Sequence, residues 1–320
     1  MQAFTPELAT RVSWLEAIIL GIVQGATEFL PISSTAHLRV VPALLDWPDP
    51  QAAFSAVIQC GTLVAVIIYF RHDLWQIAAA WCRDLAAGTP FRTAPAREGW
   101  MILFGTVPIV VAGLLLKKQI ESHFRSLYVV AGALFGFGVV MLAAEAFAWR
   151  RRQQRPAREI GHLHAGDAAA MGLAQALALI PGVSRSGATI SAGLAAGLSR
   201  EAAARFSFLL SLPAIFAAAV FELIKARKEL LGSFDDAGKL LLATVVAGIV
   251  GYAAIAWLLA YVRRHTTAVF VVYRWLLAGL LLWWLSTGRL TPFDTPQSEQ
   301  SPAAAAEQRA SFSTTCSKAG

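Results

Sequence analysis

Charge is scarce in this chain. Only 15% of its 320 residues are Asp, Glu, Lys or Arg, against about 25% in ordinary soluble domains, which argues against a water-exposed globular fold. Cysteine is scarce too. Cys60, Cys82 and Cys316 show no paired spacing, so they define neither a disulfide framework nor a zinc site. The first apolar stretch contains Glu16, Gln24 and Glu28 and lacks a clear small-residue cleavage site, which excludes reading it as a cleaved signal peptide.

Apolar residues are abundant instead. They make up 57% of the chain, with a mean hydropathy of +0.57, and they come in long blocks at 54–70, 101–116, 128–148, 206–224, 240–262 and 268–286. A bilayer-spanning helix needs roughly 20 such residues, and lipid tolerates no open backbone. Six transmembrane helices are therefore expected. The net charge of +7 does not point to nucleic acid, because the basic residues lie in loops between the blocks. Loops 71–98 and 149–165 together carry nine Lys/Arg and loop 117–125 carries three, so the two richer loops are expected on the cytoplasmic side. Residues 291–320, with their prolines, alanine run and Ser/Thr, read as a disordered polar tail. Residues 1–290 read as one polytopic membrane domain.

Two apolar segments are interrupted. In 12–45, Pro31 breaks the helix and Ser33, Ser34 and Thr35 offer caps for a new one; in 168–198, Pro181 and Gly182 do so, followed by Ser184, Arg185 and Ser186. Helix, break and helix inside an apolar stretch predict a re-entrant hairpin. The two segments also resemble each other, with Gln24 matching Gln175, Leu30-Pro31 matching Ile180-Pro181, and Ser34 matching Ser186. Phe54-Ser55 then matches Phe206-Ser207, and His123 before Val129 matches His265 before Val271. This ordered similarity predicts repeat halves at about 12–148 and 165–286. Each would hold one hairpin and three spans, and an odd number of spans inverts the second half. Inverted repeats with broken helices place a polar site near the midplane.

Charges inside apolar runs are expensive and usually functional; here they are Glu28, Arg185 and Arg274. Gln24 and Glu28 are four apart on one helix face and could hold a divalent cation or polarise a hydroxyl. Ser34, His37 and Glu28 supply a nucleophile, a proton carrier and an orienter within one short window. Residues 181–189, PGVSRSGAT, combine Gly182 and Gly187 with the hydroxyls of Ser184, Ser186 and Thr189, a helix N-terminus and the Arg185 fork. These describe an anion cradle suited to phosphate.

The stretches GIVQGATEFLPISSTAHL and PGVSRSGATISAG resemble the undecaprenyl-diphosphatase, or bacitracin resistance protein, family. FSFLLSLP at 206–213 and VVYR ending at Arg274 are similar as well, and the resemblance covers about residues 14–286. It implies an all-α integral membrane protein of the bacterial plasma membrane. Its activity would be hydrolysis of undecaprenyl diphosphate to undecaprenyl phosphate and inorganic phosphate, with Mg²⁺ or Ca²⁺, at a site opening to the outer side. Bacitracin resistance and recycling of the peptidoglycan lipid carrier would follow. Gln24 stands where many members have Glu. On this expectation Arg185, with Ser33, Thr35, Gly182, Ser184, Ser186 and Thr189, clamps phosphate. Glu28 and Gln24 orient the metal or the attacking group, and either Ser34, with His37 moving protons, or water attacks phosphorus. A transporter or flippase of lipid phosphates is the alternative, since inverted repeats serve transport too. The small residues at 187–197 could pack a hairpin or a homodimer.

Overall fold

The computed structural model describes residues 12–45, 47, 51–116, 124, 126–230 and 233–292. Most of loop 117–125, His123, Cys316 and the expected tail beyond Pro292 lie outside the described residues. Eleven α-helices are described: α1 Trp14–Phe29, α2 Ser34–Leu44, α3 Gln51–Tyr69, α4 Arg71–Ala86, α5 Ala94–Leu115, α6 Leu127–Arg152, α7 Ala165–Ala176, α8 Arg185–Ala196, α9 Arg200–Leu230, α10 Phe234–Val262 and α11 Ala268–Ser286. Among the described residues there is no strand, only an isolated bridge between Arg158 and Leu198.

The five helices α5, α6, α9, α10 and α11 are each long and apolar enough to cross a membrane, and α3 becomes a sixth when joined to α4 across a 76° bend. The expected span at 54–70 is thus one arm of a bent pair. Past the bend, α4 places Asp73 and Arg83 near its ends and leaves Trp75 exposed. Local signals set the helix ends. Ser13 and Glu16 form a capping box at the start of α1, and Gly197, at φ +96°, closes α8 in the left-handed conformation.

Ion pairs define one face of the molecule. Arg205 near the start of α9 meets Asp73 of α4 at 2.9 Å, Arg200 meets Glu145 of α6 at 2.7 Å, and Arg263 after α10 meets Glu201 at 2.6 Å. Arg158 meets Asp167 of α7 at 2.6 Å and also donates to the Ala196 carbonyl at the end of α8. The basic segments 71–98 and 149–165 therefore share this face. Both arms of the second hairpin, α7 and α8, open toward it. The first hairpin opens the other way. Ala17, Leu20 and Leu38 cluster with Phe54 at the start of α3 and with Leu240 and Ala243 near the start of α10, and Trp14 Nε1 donates to Asp235. The two hairpins enter from opposite faces, which is the inverted arrangement expected of an odd-span repeat.

Packing follows the same symmetry. α1 lies along α10, and α7 lies along α5; α6 pairs with α11, and α3 packs on α9. Each hairpin thus leans on the second span of the opposite half. Close approach needs glycine: a Cβ on Gly21 or Gly25 would come within 2.6 Å of the Ala243 or Ala247 carbonyl oxygen of α10. Without a water-driven hydrophobic term between helices in lipid, such close van der Waals contact is a main source of association.

Candidate active site

The breaks of the two hairpins meet in the interior. At the first, Pro31 ends α1 and Ser33 turns the chain with φ +74°; at the second, Gly182 has φ +97° and Ser184 has φ +71°. Ser33 and Ser184 are the positive-φ non-glycine residues of the described chain, and each is the N-cap of its hairpin's second helix. Such outliers cost about 1–3 kcal/mol each and persist where surrounding contacts hold them. Matching cap to cap pairs Ser33 with Ser184, so Ser34 aligns with Arg185 rather than with Ser186. Gln24 to Ser33 and Gln175 to Ser184 are both nine positions, because the shorter stretch from Gln175 to Pro181 is offset by one extra residue between Pro181 and its cap. Two helix N-termini, those of α2 and α8, therefore begin at the junction and bring their positive dipole ends there.

Glu28, buried at the end of α1, joins the halves. Its Oε1 accepts from Arg185 Nη2 at 2.7 Å, and its Oε2 accepts from Ser34 Oγ at 2.7 Å and Gln24 Nε2 at 2.9 Å. Gln24 Oε1 is buried with no donor. Ser186 Oγ of the second hairpin donates to the Leu30 carbonyl at 3.1 Å. Arg185 also reaches the Ser211 carbonyl. A guanidinium has five N–H donors, and these two contacts use two. The pairing of a hydroxyl with a carboxylate at 2.7 Å has the reach needed to pass the hydroxyl proton.

The expected residues divide into groups. Gln24, Glu28, Ser34 and Arg185 form one connected network. Ser184 Oγ accepts from Gly187 N at 3.2 Å and lies 3.2 Å from Ser186 Oγ, so it caps α8. Ser33 Oγ and the exposed Thr35 Oγ1 are 3.3 Å apart beside the first turn. Thr189 faces the other way: its hydroxyl donates to the Arg185 carbonyl and pairs with Ser207 Oγ on α9. The ring nitrogens of His37 bond elsewhere than to Ser34. Its Nδ1 is 2.7 Å from the Ser33 carbonyl and its Nε2 is 2.6 Å from the Tyr273 hydroxyl.

Arg274 is fully buried, lies over the Phe137 ring and gives its hydrogen bonds to backbone carbonyls. It donates to the Pro31 and Gly182 carbonyls, one in each break, at 3.2 and 2.8 Å, and to the Leu134 and Ala133 carbonyls of α6 at 3.2 and 3.3 Å. Its charge, legible as costly in the sequence, ties the two hairpins together. The sequence reading missed Tyr273 and Ser207. A tyrosine directly beside an intramembrane Arg was the available signal for the first. Nothing local marked the second beyond its place in the repeated Phe-Ser pair.

Two opposed re-entrant hairpins whose helix N-termini, carboxylate, hydroxyl and guanidinium converge define a polytopic membrane protein with a buried anion-handling site. The comparisons sharpen this. A family model described as Bacitracin resistance protein BacA matches residues 17–280. A relative from Chloroherpeton thalassium named undecaprenyl-diphosphatase is 53% identical over 281 residues, covering 87% of this chain and 99% of the relative. Relatives of the same name from Chlorobaculum tepidum and Chlorobium phaeobacteroides are 53% and 51% identical, each over 278 residues, with the same coverage of 87% and 99%. The chain belongs to the bacitracin resistance protein BacA family.

Proposed function

We propose that this chain hydrolyses undecaprenyl diphosphate to undecaprenyl phosphate and inorganic phosphate. The observation that carries the reading is the Ser34–Glu28–Arg185 network at the meeting of two helix N-termini. Phosphoryl transfer asks a protein chiefly for positioning and charge stabilisation. The N–H groups of the α2 and α8 first turns, with the Arg185 fork, hold the terminal phosphate. Ser34 Oγ attacks its phosphorus and the bond to the bridging oxygen breaks. Undecaprenyl phosphate leaves, and Glu28 takes the hydroxyl proton. Water then attacks the phosphoserine, releasing inorganic phosphate and restoring Ser34. Direct attack by water, oriented by Glu28, is the competing route.

A divalent cation fits the donor set thinly. Among the described residues no group of three His, Cys, Asp or Glu could hold a metal by itself. The orphaned Gln24 Oε1 beside the Glu28 carboxylate supplies two oxygens, and Mg²⁺ or Ca²⁺ commonly takes its remaining ligands from phosphate and water. When bound there it would neutralise phosphate charge. In this reading the basic face is cytoplasmic, so the first hairpin, carrying Glu28 and Ser34, opens to the outer side of the bacterial plasma membrane. The products then serve recycling of the lipid carrier for cell-wall synthesis.

The test is phosphate release from a long-chain polyprenyl diphosphate by the purified protein in detergent, with Mg²⁺ or Ca²⁺ and then with chelator. Release is expected from wild type and is lost in Arg185→Ala. Ser34→Ala retaining most turnover would exclude the serine route and leave water. The opposed hairpins also suit a transporter of lipid phosphates. Micelles have no two sides, so release there separates the enzyme from the carrier, and a folded wild type that releases none under any metal condition removes the enzyme reading.

A further inference from the structure

The two hairpin turns are alike in backbone and unlike in restraint. Ser184 holds its own turn, because its hydroxyl caps α8 at Gly187 N. Ser33 makes no such side-chain cap on α2, although its φ of +74° is as strained. Within α2 the Ser33 carbonyl accepts only a long backbone bond, from His37 N at 3.3 Å, and the turn that presents Ser34 is held further by side chains.

Two consecutive residues of α11 hold it. Arg274 donates to the Pro31 carbonyl at 3.2 Å. Tyr273 reaches the Ser33 carbonyl through His37. The Tyr273 and His37 rings stack with centroids 5.5 Å apart and planes 8° from parallel, with Tyr273 Oη 2.6 Å from Nε2 and Nδ1 2.7 Å from Ser33 O. A carbonyl can only accept, so Nδ1 carries the proton. In the neutral ring Nε2 is then an acceptor, and Tyr273 O–H donates to it. The chain of hydrogen bonds runs from Tyr273 O–H through the imidazole to Ser33 C=O. The residue after Ser33 is Ser34, whose Oγ donates to Glu28 at 2.7 Å.

We propose that Tyr273 is a positioning residue for the reaction. Acting through His37, it fixes the Ser33 carbonyl and so the direction of Ser34 Oγ toward Glu28. His37 in this role is a strut rather than the carrier of the Ser34 proton. The proposal rests on the reading that Ser34 and Glu28 are the reacting pair.

The test uses the full chain in detergent and the same phosphate-release assay. Tyr273→Phe keeps the stacked ring, removes the donor, and changes a half-exposed side chain, so it leaves the fold in place. It is expected to lower kcat by about tenfold or more, since misplacement by an ångström or less at a reacting atom can cost that much, while KM stays within about twofold of wild type. In a His37→Ala background the same change is expected to cause no further loss. Wild-type kcat in Tyr273→Phe overturns the proposal, and so does an equal loss in both backgrounds, which would mean that Tyr273 acts elsewhere. Should His37→Ala turn over too slowly to read, ¹⁵N spectra of histidine-labelled protein, with His37 assigned by its loss in His37→Ala, measure the same contact. A protonated Nδ1 with an unprotonated Nε2 that shifts in Tyr273→Phe supports the strut, and a protonated Nε2 in the neutral ring overturns it. An inactive wild type would sink the phosphatase reading and is distinguishable from either result.

Discussion

Arg274 offers the most direct test of how the two breaks are held. Its guanidinium is fully buried and donates to four carbonyls. The Ala133 and Leu134 carbonyls belong to α6, where helical bonding already serves them. The Pro31 and Gly182 carbonyls lie in the breaks, outside any helical ladder. In Arg274→Met those two are left buried without their donor. Each buried unsatisfied group costs about 1–3 kcal/mol, so the sum is about 2–6 kcal/mol. Against this stands the desolvation of a buried guanidinium with no carboxylate among its contacts, which the substitution relieves. If positioning of the breaks dominates, Arg274→Met melts well below wild type in detergent and loses phosphate release. Arg274→Lys fares no better, because a compact ammonium with three donors cannot span carbonyls on three elements. The comparison is Arg263→Met, which removes a pair with Glu201 in which the arginine is 59% exposed; such exposed pairs contribute little to stability. An Arg274→Met protein that melts no earlier than Arg263→Met, or later than wild type, would refute the reasoning, since desolvation would then outweigh the tie.

Three further outcomes are expected. Glu28→Gln leaves Arg185 buried without a counter-charge, which typically costs about 3–5 kcal/mol; its melting temperature and its phosphate release should both fall, and unchanged release would remove Glu28 from the reaction. Gln175 is fully buried with neither amide atom partnered, so Gln175→Leu, of similar volume, should hold or raise the melting temperature, and a clear loss of stability would reveal a bridging water or ligand at that amide. The carboxylate of Asp84, at the end of α4, is held below its ordinary value of 3.8 chiefly by the Thr93 backbone N–H, with the Thr93 hydroxyl also donating. A depressed folded pKa stabilises above the unfolded value and is lost as pH falls through the folded one. Asp84→Asn should therefore perturb the fluorescence of the adjacent Trp81–Trp100 pair at neutral pH and converge on wild type in strong acid; a difference independent of pH would contradict it.

The membrane spans were legible because apolar length is a local property. Block 268–286 coincides with α11, and 128–148 lies inside α6. The bend after Tyr69 was not, because Arg71 and Asp73 mark an end of apolar chain without saying which way the helix turns. Hairpin breaks were legible at Pro31 and at Pro181-Gly182, since proline and glycine act on their own backbone. The site was legible in its members and not in its pairings. Glu28 and Ser34 are six residues apart, but Arg185 comes to Glu28 across 157 residues and Tyr273 to His37 across 236. Those meetings depend on the inverted packing of the halves. Of the expected local set, Ser34 bonds Glu28, while His37 bonds Tyr273 from another element. His37 is one turn past Ser33 on α2, where its ring returns to the Ser33 carbonyl, and Ser34 is left to face Glu28.

Neither half of the chain completes the site. The first hairpin supplies the carboxylate and the hydroxyl, and its turn lacks a side-chain cap. The second supplies the arginine and a turn that caps itself. Helix α11 closes the arrangement with two adjacent residues, Arg274 on both breaks and Tyr273 on His37. The corresponding place in α6, by the Val129 and Val271 match, holds Ala131 and Gly132, which can do neither. The symmetry that brings the hairpins together is thus broken at the residues that fix their reactive ends. A symmetric duplex would place two equal turns at the junction, whereas here one turn presents the hydroxyl and the other the guanidinium, which an asymmetric reaction between a nucleophile and a phosphate needs.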